Sequence, residues 1–597
     1  MTMPVENVEL LGSEKELAAN ANPLLSPEDA FFKAALFGDY KQLQVDNTTS
    51  SSCDIDYLAL PDQKNSFLTD LLIIRPCYKH LLPLIHNELM GRDNGMIAGV
   101  TGTPGIGKSV FGIVLLRHFI HIGKTVLYWE NDDVYLFTFD EKIKSAFQLF
   151  EFGAFQGQND GGTRKICYAA RWDVSTKSYA AIFGSALLQH KVVIHDPKQG
   201  DMRVAYNEKR IYHLVYILSH GHSLISYWGR KGGGPDKYYL PVWSKAEIEK
   251  SLPLLKRQDK NVSQISFDEV DSLYCRYGGC IRGWLVKDQG DFWNELVAKV
   301  KEVAKNHGDN VLERNTSSRG SIIHTNVDFD ETLEPFPFVE GANMMSLEED
   351  SFQRNTFDKY RYVFGSSDIL EALDQELVRR SDKALQHALI SWASVPGFEG
   401  VYGALYELRC HRRFENEQNL KLKMRVVYND PSKNTDKCYE VEFPRFVKVV
   451  RFKSQDPSII EEERTYPDLK KDYYLWPRSS SFPSYDSAAI VDGTPFGLDG
   501  VVGLLFQMTV SGSTGIPRRP EHSVKQHIRR KFHKAFESRK IAGYKNAYTA
   551  FVVPTECFEK FVFQKESIKD SDDGIASSQP QFQLVFEMED IFTYKPM

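Results

Sequence analysis

The sequence lacks the features that mark several large classes of protein. Its eight cysteines are scattered, with no C-x-x-C pair and no histidine at zinc-ligand spacing, which argues against a disulfide-stapled domain and against a zinc module. No apolar run is long enough to cross a bilayer, and residues 1–10 carry no basic segment of the kind that opens a signal peptide. We therefore expect an intracellular protein of the cytoplasm or nucleus, with reduced thiols and no membrane partner.

An excess of charge of one sign is also missing. The 73 Lys and Arg residues stand against 80 Asp and Glu residues, which leaves a formal net charge of −7 over 597 residues. The whole chain therefore exerts no general attraction on nucleic acid, and any such binding must come from a local patch. Apolar residues make up 42% of the chain, enough for several buried cores.

The most informative motif that is present is a glycine-rich segment. It matches the phosphate-binding P-loop and reads Gly102, Thr103, Pro104, Gly105, Ile106, Gly107, Lys108 and Ser109. An apolar run at 96–100 precedes it and a helix-compatible run at 110–122 follows it, so we expect the order strand, loop, helix. Backbone N–H groups of the loop would bind the phosphates of ATP or GTP, Lys108 would reach the outer phosphates, and Ser109 would bind Mg²⁺.

A second candidate for this site is Asp196, which ends the apolar run 192–196. Its position is typical of a Walker B acid, which holds the magnesium water shell from the tip of a neighbouring strand. Many ATPases place a glutamate directly after that acid, but here the next residue is Pro197. The hydrolytic base therefore stays open among four acids: Asp132, Asp133, Asp201 and Glu208. Such a site suits slow hydrolysis and a switch rather than a motor.

Strand and helix patterns alternate around these motifs and predict a three-layer α/β domain with a largely parallel sheet. The segment Tyr206–Ser219 has apolar residues at helical spacing and is predicted to be a helix. A strand is expected at His222–Trp228, where Ser226 would sense the γ-phosphate. Helical stretches at 246–255, 267–276 and 291–306 could form a lid, from which Arg282 would reach the nucleotide. For both Ser226 and Arg282, an ordinary solvated polar residue is an equally open alternative.

Changes in patterning predict four regions. These are a poorly patterned N-terminal region at 1–66, a nucleotide-binding domain with its lid at 67–310, a connector at 311–360 and a second α/β domain at 361–597. Within the last region, the stretch 523–541 combines an apolar stripe with the only dense basic patch in the sequence. A DNA-contacting helix and an ordinary core helix with a solvated cationic face are both open. The candidate DNA contacts are Arg518, Arg519, Arg529, Arg530 and Lys534.

Several short segments resemble, in the same order, those of Crinkler-type effectors and of trypanosomal retrotransposon hot spot proteins. They lie at 102–109, 238–244, 276–282, 363–367, 403–407 with His411, 482–486 and 505–511. The resemblance extends from about residue 70 to about residue 560. It implies a P-loop NTPase domain of AAA or STAND type with a helical lid, followed by an α/β domain of restriction-endonuclease type.

The same resemblance bears on partners and location. Members often begin with a ubiquitin-like targeting header that carries an L-x-L-F-L-A-K type motif, which is not found here. Two alternatives stay open: a relative that remains in its own cell, and a secreted effector that reaches host proteins and the host cell nucleus by another route.

A nuclease of the implied type needs acids that converge on Mg²⁺ and a cation at the scissile phosphate. The resemblance implies Glu407 as the acid on a helix, Asp486 as the acid of the first strand and Gln507 as the ligand on the second strand, with Mg²⁺ held by the two acids. The usual lysine two residues after the second-strand ligand is replaced by Thr509. Two later cations are candidates for its role: Lys525 and Arg529.

Together these observations predict a protein in which a nucleotide-binding domain controls a DNA-contacting domain of nuclease ancestry, either active or degenerate. A signalling or interaction protein whose nucleotide switch exposes a partner surface is an alternative of a different class. A small-molecule kinase is the third.

Overall fold

The computed structural model describes just over half of the chain. The described residues are 21, 23–24, 26–43, 55–59, 71–91, 96–130, 133–156, 164–173, 191–197, 213–218, 236–258, 265–285, 289–305, 322–327, 329–330, 333, 335, 355–380, 399–427, 437–452, 470–477, 486–508, 536–537, 541–554, 558 and 581–586. The chain divides into two compact units. The first unit comprises Met1–Phe292 and Thr316–Tyr360, and the second comprises Trp293–Asn315 and Arg361–Met597.

The described helices are short to medium in length. They are α1 (Ser26–Phe37), α2 (Pro76–Met90), α3 (Lys108–His121), α4 (Glu141–Phe147), α5 (Lys245–Gln258), α6 (Phe267–Tyr277), α7 (Arg282–Leu285), α8 (Gln289–Lys305), α9 (Ser367–Arg380) and α10 (Glu399–Asn416). Among the described residues, none of the helices combines the length and the apolar character needed to span a membrane.

Strands account for most of the remaining described residues. Those of the first unit are β1 (Lys41–Leu43), β2 (Ile55–Ala59), β3 (Leu71–Ile74), β4 (Ile97–Thr101), β5 (Val126–Glu130), β6 (Asp133–Thr138), β7 (Phe150–Gln156), β8 (Arg164–Asp173), β9 (Val192–Asp196), β10 (His213–Ile217), β11 (Asp236–Tyr239) and β12 (Ile323–Asn326). Those of the second unit are β13 (Arg361–Phe364), β14 (Leu420–Val427), β15 (Tyr439–Phe443), β16 (Lys448–Phe452), β17 (Tyr473–Pro477), β18 (Ser487–Asp492), β19 (Val501–Met508), β20 (Tyr544–Pro554) and β21 (Gln581–Phe586).

The main sheet of the first unit has eight strands in the order β11-β4-β10-β9-β5-β6-β8-β7. The first five of these are mutually parallel, and the last three continue the sheet antiparallel. Parallel strands are normally buried on both faces and are therefore rich in apolar residues, as β9 and β10 are here. The mixed α/β class predicted from the sequence is confirmed.

Helix α3 packs on one face of this sheet. A Cβ added to Gly112 would lie 3.5 Å from Ile217, 3.8 Å from Tyr128 and 4.0 Å from Ile194, so glycine allows the helix to lie close to the central strands. On the other face, Trp129 stacks on His195 with ring centroids 3.7 Å apart, and both side chains are fully buried. Alternate residues of one strand therefore face opposite sides, as strand geometry requires.

One secondary-structure prediction is wrong. The segment 206–219 was expected to be a helix, but His213–Ile217 is strand β10, which lies between β4 and β9. Its burial explains the error, because all five residues of β10 are buried and a strand covered on both faces shows no alternation. The strand expected at 222–228, with Ser226, lies outside the described residues.

The second unit is built on another eight-stranded sheet, in the order β15-β14-β21-β20-β19-β18-β17-β16. Helix α10 packs on it through Phe414, whose ring centroid lies 4.9 Å from that of Phe506 and 5.3 Å from that of Phe443. Helix α9 contacts α10 through ion pairs that buried Asp374 forms with Arg409 and Arg412. The domain boundaries predicted from the sequence stay a prediction.

Candidate functional site

The glycine-rich segment connects β4 directly to α3, so the predicted order of strand, loop and helix is confirmed. Lys108 is the first residue of α3, and Gly107 is its N-cap residue with a left-handed φ of 96°. Gly105 also has a positive φ of 81°. Because side chains other than glycine are strained in this region, the two glycines permit the tight turn that leads into the helix.

Other parts of the first unit pack closely against this loop. A Cβ on Gly105 would lie 2.7 Å from the Cβ of Arg282 and 3.0 Å from the Sγ of Cys280. A Cβ on Gly107 would lie 2.4 Å from the hydroxyl oxygen of Tyr78, which donates a hydrogen bond to the Gly107 carbonyl at 2.7 Å. The structure therefore brings the predicted lid residue Arg282 to the loop beside Gly105.

Arg75 holds the loop through hydrogen bonds to backbone carbonyl groups, and the sequence patterns did not predict this role. Its side chain is 1% exposed and donates to the carbonyl oxygens of Ile106 at 2.9 Å and Pro241 at 3.0 Å. The same guanidinium pairs with Glu247, with Nε 2.7 Å from Oε1, and lies over the Trp243 ring. The available sequence signal was an arginine placed between a run of four apolar residues and a proline at the start of α2.

The remaining loop residues are also held by hydrogen bonds. The Thr103 hydroxyl accepts from the Thr325 N–H at 3.0 Å, and the Cys280 thiol donates to the Pro104 carbonyl at 3.1 Å. Thr103 is 1% exposed, so its side chain supports the loop and does not face solvent. The sequence did not predict these contacts of Thr325 and Cys280, because each residue lies more than 170 positions away from its partner in the loop.

Lys108 lies across the loop that precedes it. Its side chain is 7% exposed, and Nζ donates to the carbonyl oxygens of Gly102 at 3.0 Å and Thr103 at 2.7 Å. Burial lowers the pKa of Lys108 to about 8, while the Asp196 carboxylate acts in the opposite direction. The ammonium group is thus buried, held by the loop and electrostatically coupled to Asp196.

Asp196 is brought to the loop by the order of the strands. It ends β9, which is separated from β4 by β10 alone, and its carboxylate accepts a hydrogen bond from the Ser109 hydroxyl. Burial raises the pKa of Asp196, and both Ser109 and Lys108 oppose that rise. A hydroxyl and a carboxylate in contact are oxygen donors of the kind that Mg²⁺ takes in proteins, so these two residues fit that ion.

The acids proposed as hydrolytic base have different positions. Asp133 begins β6 and forms an ion pair with Arg171, whose Nε and Nη2 lie 2.9 Å and 2.8 Å from the same carboxylate oxygen. The other three candidates lie outside the described residues: Asp132, Asp201 and Glu208.

In the second unit, the predicted acids Glu407 and Asp486 come near one another around Tyr474. Glu407 lies on α10, and Asp486 immediately precedes β18. Both carboxylates act electrostatically on the Tyr474 phenol. The Asp486 N–H donates to the Phe506 carbonyl at 2.8 Å, which brings Asp486 beside the end of β19, where half-buried Gln507 lies.

A chain of buried polar groups runs through this region and was not foreseen. His411 Nδ1 lies 2.6 Å from the Tyr474 hydroxyl, which donates to the Ser487 hydroxyl at 2.8 Å. His411 Nε2 lies 3.5 Å from Glu407 Oε1. Burial lowers the pKa of His411 to about 3 and raises the pKa of Glu407 to about 7. At neutral pH the histidine is therefore uncharged and Glu407 is partly protonated.

The predicted Mg²⁺ site of the second unit has fewer clustered ligands than the sequence suggested. Within the described ranges, no three or more His, Cys, Asp and Glu side chains form a group that could hold a metal ion. The roles of Glu407, Asp486 and Gln507 stay a prediction. The candidate cations of this region lie outside the described residues, namely Lys525, Arg518, Arg519, Arg529, Arg530 and Lys534, as does Thr509.

Two curated proteins of Phytophthora infestans are similar to this chain. Crinkler effector protein 15 and Crinkler effector protein 16 are each 26% identical to it over 185 residues, which is 31% of this chain and 25% and 24% of theirs. The chain thus spans about a quarter of the length of these relatives. No family model matches the chain. This similarity supports a Crinkler-like relationship.

Proposed function

We propose that the first unit binds a nucleoside triphosphate, ATP or GTP, at residues 102–109 and hydrolyses it slowly. The observation that carries the proposal is the loop between β4 and α3, where buried Lys108 and the bonded pair of Ser109 and Asp196 meet. A helix N-terminus with exposed N–H groups attracts anions, and the lysine adds a full positive charge. The phosphate groups of a nucleotide are anions that can accept hydrogen bonds from these N–H groups and pair with the lysine.

The position of the loop in the sheet supports a P-loop domain of AAA or STAND type. Strand β4 has β10 on one side and β11 on the other, and the chain runs to β5, β9 and β10 before it crosses to β11. In open parallel sheets, ligands bind outside the carboxyl ends of the strands where the strand order reverses. The loop follows β4 at that edge.

Magnesium would be held by Ser109 and Asp196. The ion would reduce the negative charge of the phosphates, while the two residues fix its position relative to the loop. Arg282, whose Cβ lies against Gly105, would add a cation on the outer side of the loop. We propose that this set serves a switch, in which the bound nucleotide controls the second half of the chain.

Isothermal titration calorimetry with Mg·ATP and Mg·GTP tests the binding proposal. We expect Lys108→Ala to weaken the affinity by about 10- to 150-fold, the value of one hydrogen bond to a charged group. Lys124→Ala is the matched control, because Lys124 is an exposed lysine just after the same helix. Unchanged affinity in a folded Lys108→Ala variant would refute the role of Lys108.

For the second unit, we propose a nuclease-like domain that contacts DNA. The supporting observation is that Glu407 and Asp486, about 80 residues apart in sequence, act on the same buried tyrosine. The Crinkler similarity further suggests an effector that works inside host cells, with DNA contacts from 523–541.

Plasmid nicking with Mg²⁺, with and without nucleotide, tests this proposal. Nicking should disappear in Asp486→Ala and persist in Asp499→Ala, which alters an exposed acid of the same unit.

One observation favours an alternative for the second unit. In the part of the chain that the structure describes, Glu407 and Asp486 have no third metal-ligating acid or histidine arranged with them as an ion would require. Burial also keeps Glu407 partly protonated near neutral pH. A nucleotide-switched interaction protein with a non-catalytic nuclease-like half fits both facts. Intact plasmid under every nucleotide and metal condition would decide for this alternative.

A further inference from the structure

The end of β5 lies directly beside Asp196. Strands β5 and β9 are parallel neighbours, and their register pairs Trp129 with His195 and Glu130 with Asp196. Adjacent strands are about 4.8 Å apart, so the two acids start from neighbouring positions on the same edge of the sheet. Glu130 is 66 residues before Asp196 in sequence and belongs to no motif recognised there.

The side chains of both acids extend on the α3 face. Tyr128 and Ile194 face α3, because each lies within 4.0 Å of a Cβ placed on Gly112. Side chains two residues apart on a strand share a face, so Glu130 and Asp196 face the same helix. The Ser109 hydroxyl, on the first turn of α3, bonds to Asp196 and confirms the face for that residue.

Electrostatics place the two carboxylates together. The pKa of the Tyr128 phenol is raised well above its ordinary value, first by burial and then by the charges of Glu130 and Asp196. One phenol two residues before the strand end thus senses both acids. Glu130 is half-buried, whereas Tyr128 is 1% exposed, so Glu130 is the more accessible of the two residues to solvent.

Two other acids among the described residues lie at this edge of the sheet. Asp196 is bonded to Ser109, and Asp133 is held by two guanidinium nitrogens of Arg171.

On this geometry, and resting on the nucleotide binding proposed above, we infer that Glu130 is the general base for hydrolysis of the bound triphosphate. Its carboxylate accepts a proton from a water molecule whose oxygen forms a bond to the γ-phosphorus. The bond between that phosphorus and the β–γ bridging oxygen breaks, and the bridging oxygen leaves with the nucleoside diphosphate. The second product is inorganic phosphate, and Glu130 returns its proton to solvent.

The test compares binding with turnover in Glu130→Gln. This change keeps the size of the side chain and removes its basicity, so we expect calorimetric affinity for Mg·ATP within about 3-fold of wild type and a hydrolysis rate lower by about 10²- to 10⁴-fold, the usual contribution of a general base. Glu130→Asp, which retains a carboxylate one methylene shorter, should recover part of the rate. Asp133→Asn is the control and should hydrolyse within about 10-fold of wild type.

The possible results separate this inference from the proposed function. Glu130→Gln that binds Mg·ATP and hydrolyses it at the wild-type rate would overturn the inference while leaving nucleotide binding in place. Loss of turnover in Asp133→Asn alone would transfer the role to Asp133. A wild-type protein that binds nucleotide without hydrolysing it would also refute a base at Glu130. Absence of binding by the wild type would refute the proposed function itself.

Discussion

The contact between Gly107 and Tyr78 permits a quantitative test of how tightly the candidate phosphate loop is packed. Gly107 has a φ of 96°, and alanine in a left-handed conformation costs about 1–2 kcal/mol. The added Cβ would lie 2.4 Å from the Tyr78 hydroxyl oxygen, far inside normal contact. Accommodating the Cβ requires that hydroxyl to move and break its hydrogen bond to the Gly107 carbonyl, and overpacking of this kind costs about 1–3 kcal/mol. We therefore expect Gly107→Ala to destabilise the first unit by about 2–5 kcal/mol.

Gly123 provides a matched control for the backbone term. It follows α3 with a φ of 79°, and a Cβ placed there meets nothing within 4 Å. Gly123→Ala should therefore cost only about 1–2 kcal/mol. The difference between the two substitutions isolates the contact with Tyr78, at about 1–3 kcal/mol.

Tyr78→Phe completes the test as a double-mutant cycle. The phenyl ring leaves its nearest carbon 3.7 Å from the new Cβ, an ordinary contact, so removal of the hydroxyl should relieve the clash. In the Gly107→Ala background, Tyr78→Phe should cost less than in wild type by about 1–3 kcal/mol. Urea unfolding followed by tryptophan fluorescence measures all four proteins. Equal costs for Gly107→Ala and Gly123→Ala, together with an additive cycle, would refute the packing argument.

Two further predictions concern buried ionisable side chains in the first unit. Burial lowers the pKa of His324 to about 4 from 6.5, so the folded state binds fewer protons between these values and the free energy of unfolding falls as the pH drops from 6.5 to 4, by about 3 kcal/mol in total. In His324→Leu this part of the acid dependence should disappear in urea unfolding at pH 7, 5.5 and 4, and an unchanged dependence would contradict the assignment. Arg75→Met should destabilise the unit by about 3–5 kcal/mol because it removes the cation paired with largely buried Glu247 and the guanidinium donor to the carbonyl groups of Ile106, Pro241 and Val242. Arg171→Met, at a half-exposed pair, is its control and should cost under about 1 kcal/mol in the same assay.

Local pattern was sufficient for the parts of the site that depend on neighbouring residues. The strand, loop and helix around Gly102–Ser109 follow from an apolar run, closely spaced glycines and a helix-compatible segment, and the structure has them in that order. Asp196 was found because it ends an apolar run, which is a local signal as well. Local pattern failed at His213–Ile217, because a strand buried on both faces and one face of a buried helix give the same apolar spacing.

Contacts between distant segments were beyond the reach of pattern. Arg75 meets Glu247 across 172 residues, and Cys280 meets Pro104 across 176. In the second unit, nothing in the spacing of His411, Tyr474 and Ser487 indicated that their side chains form one hydrogen-bonded chain. Each of these contacts depends on which helix packs on which strand.

The amino-acid sequence by itself determined that a tight glycine-rich turn follows β4 and leads into α3, since glycine conformational freedom is a property of individual residues. Only the tertiary structure decided that Glu130 lies beside Asp196. Glu130 and Asp196 become neighbours because β5 pairs with β9 in one particular register, and strand order is set by burial of the whole sheet and by no single segment.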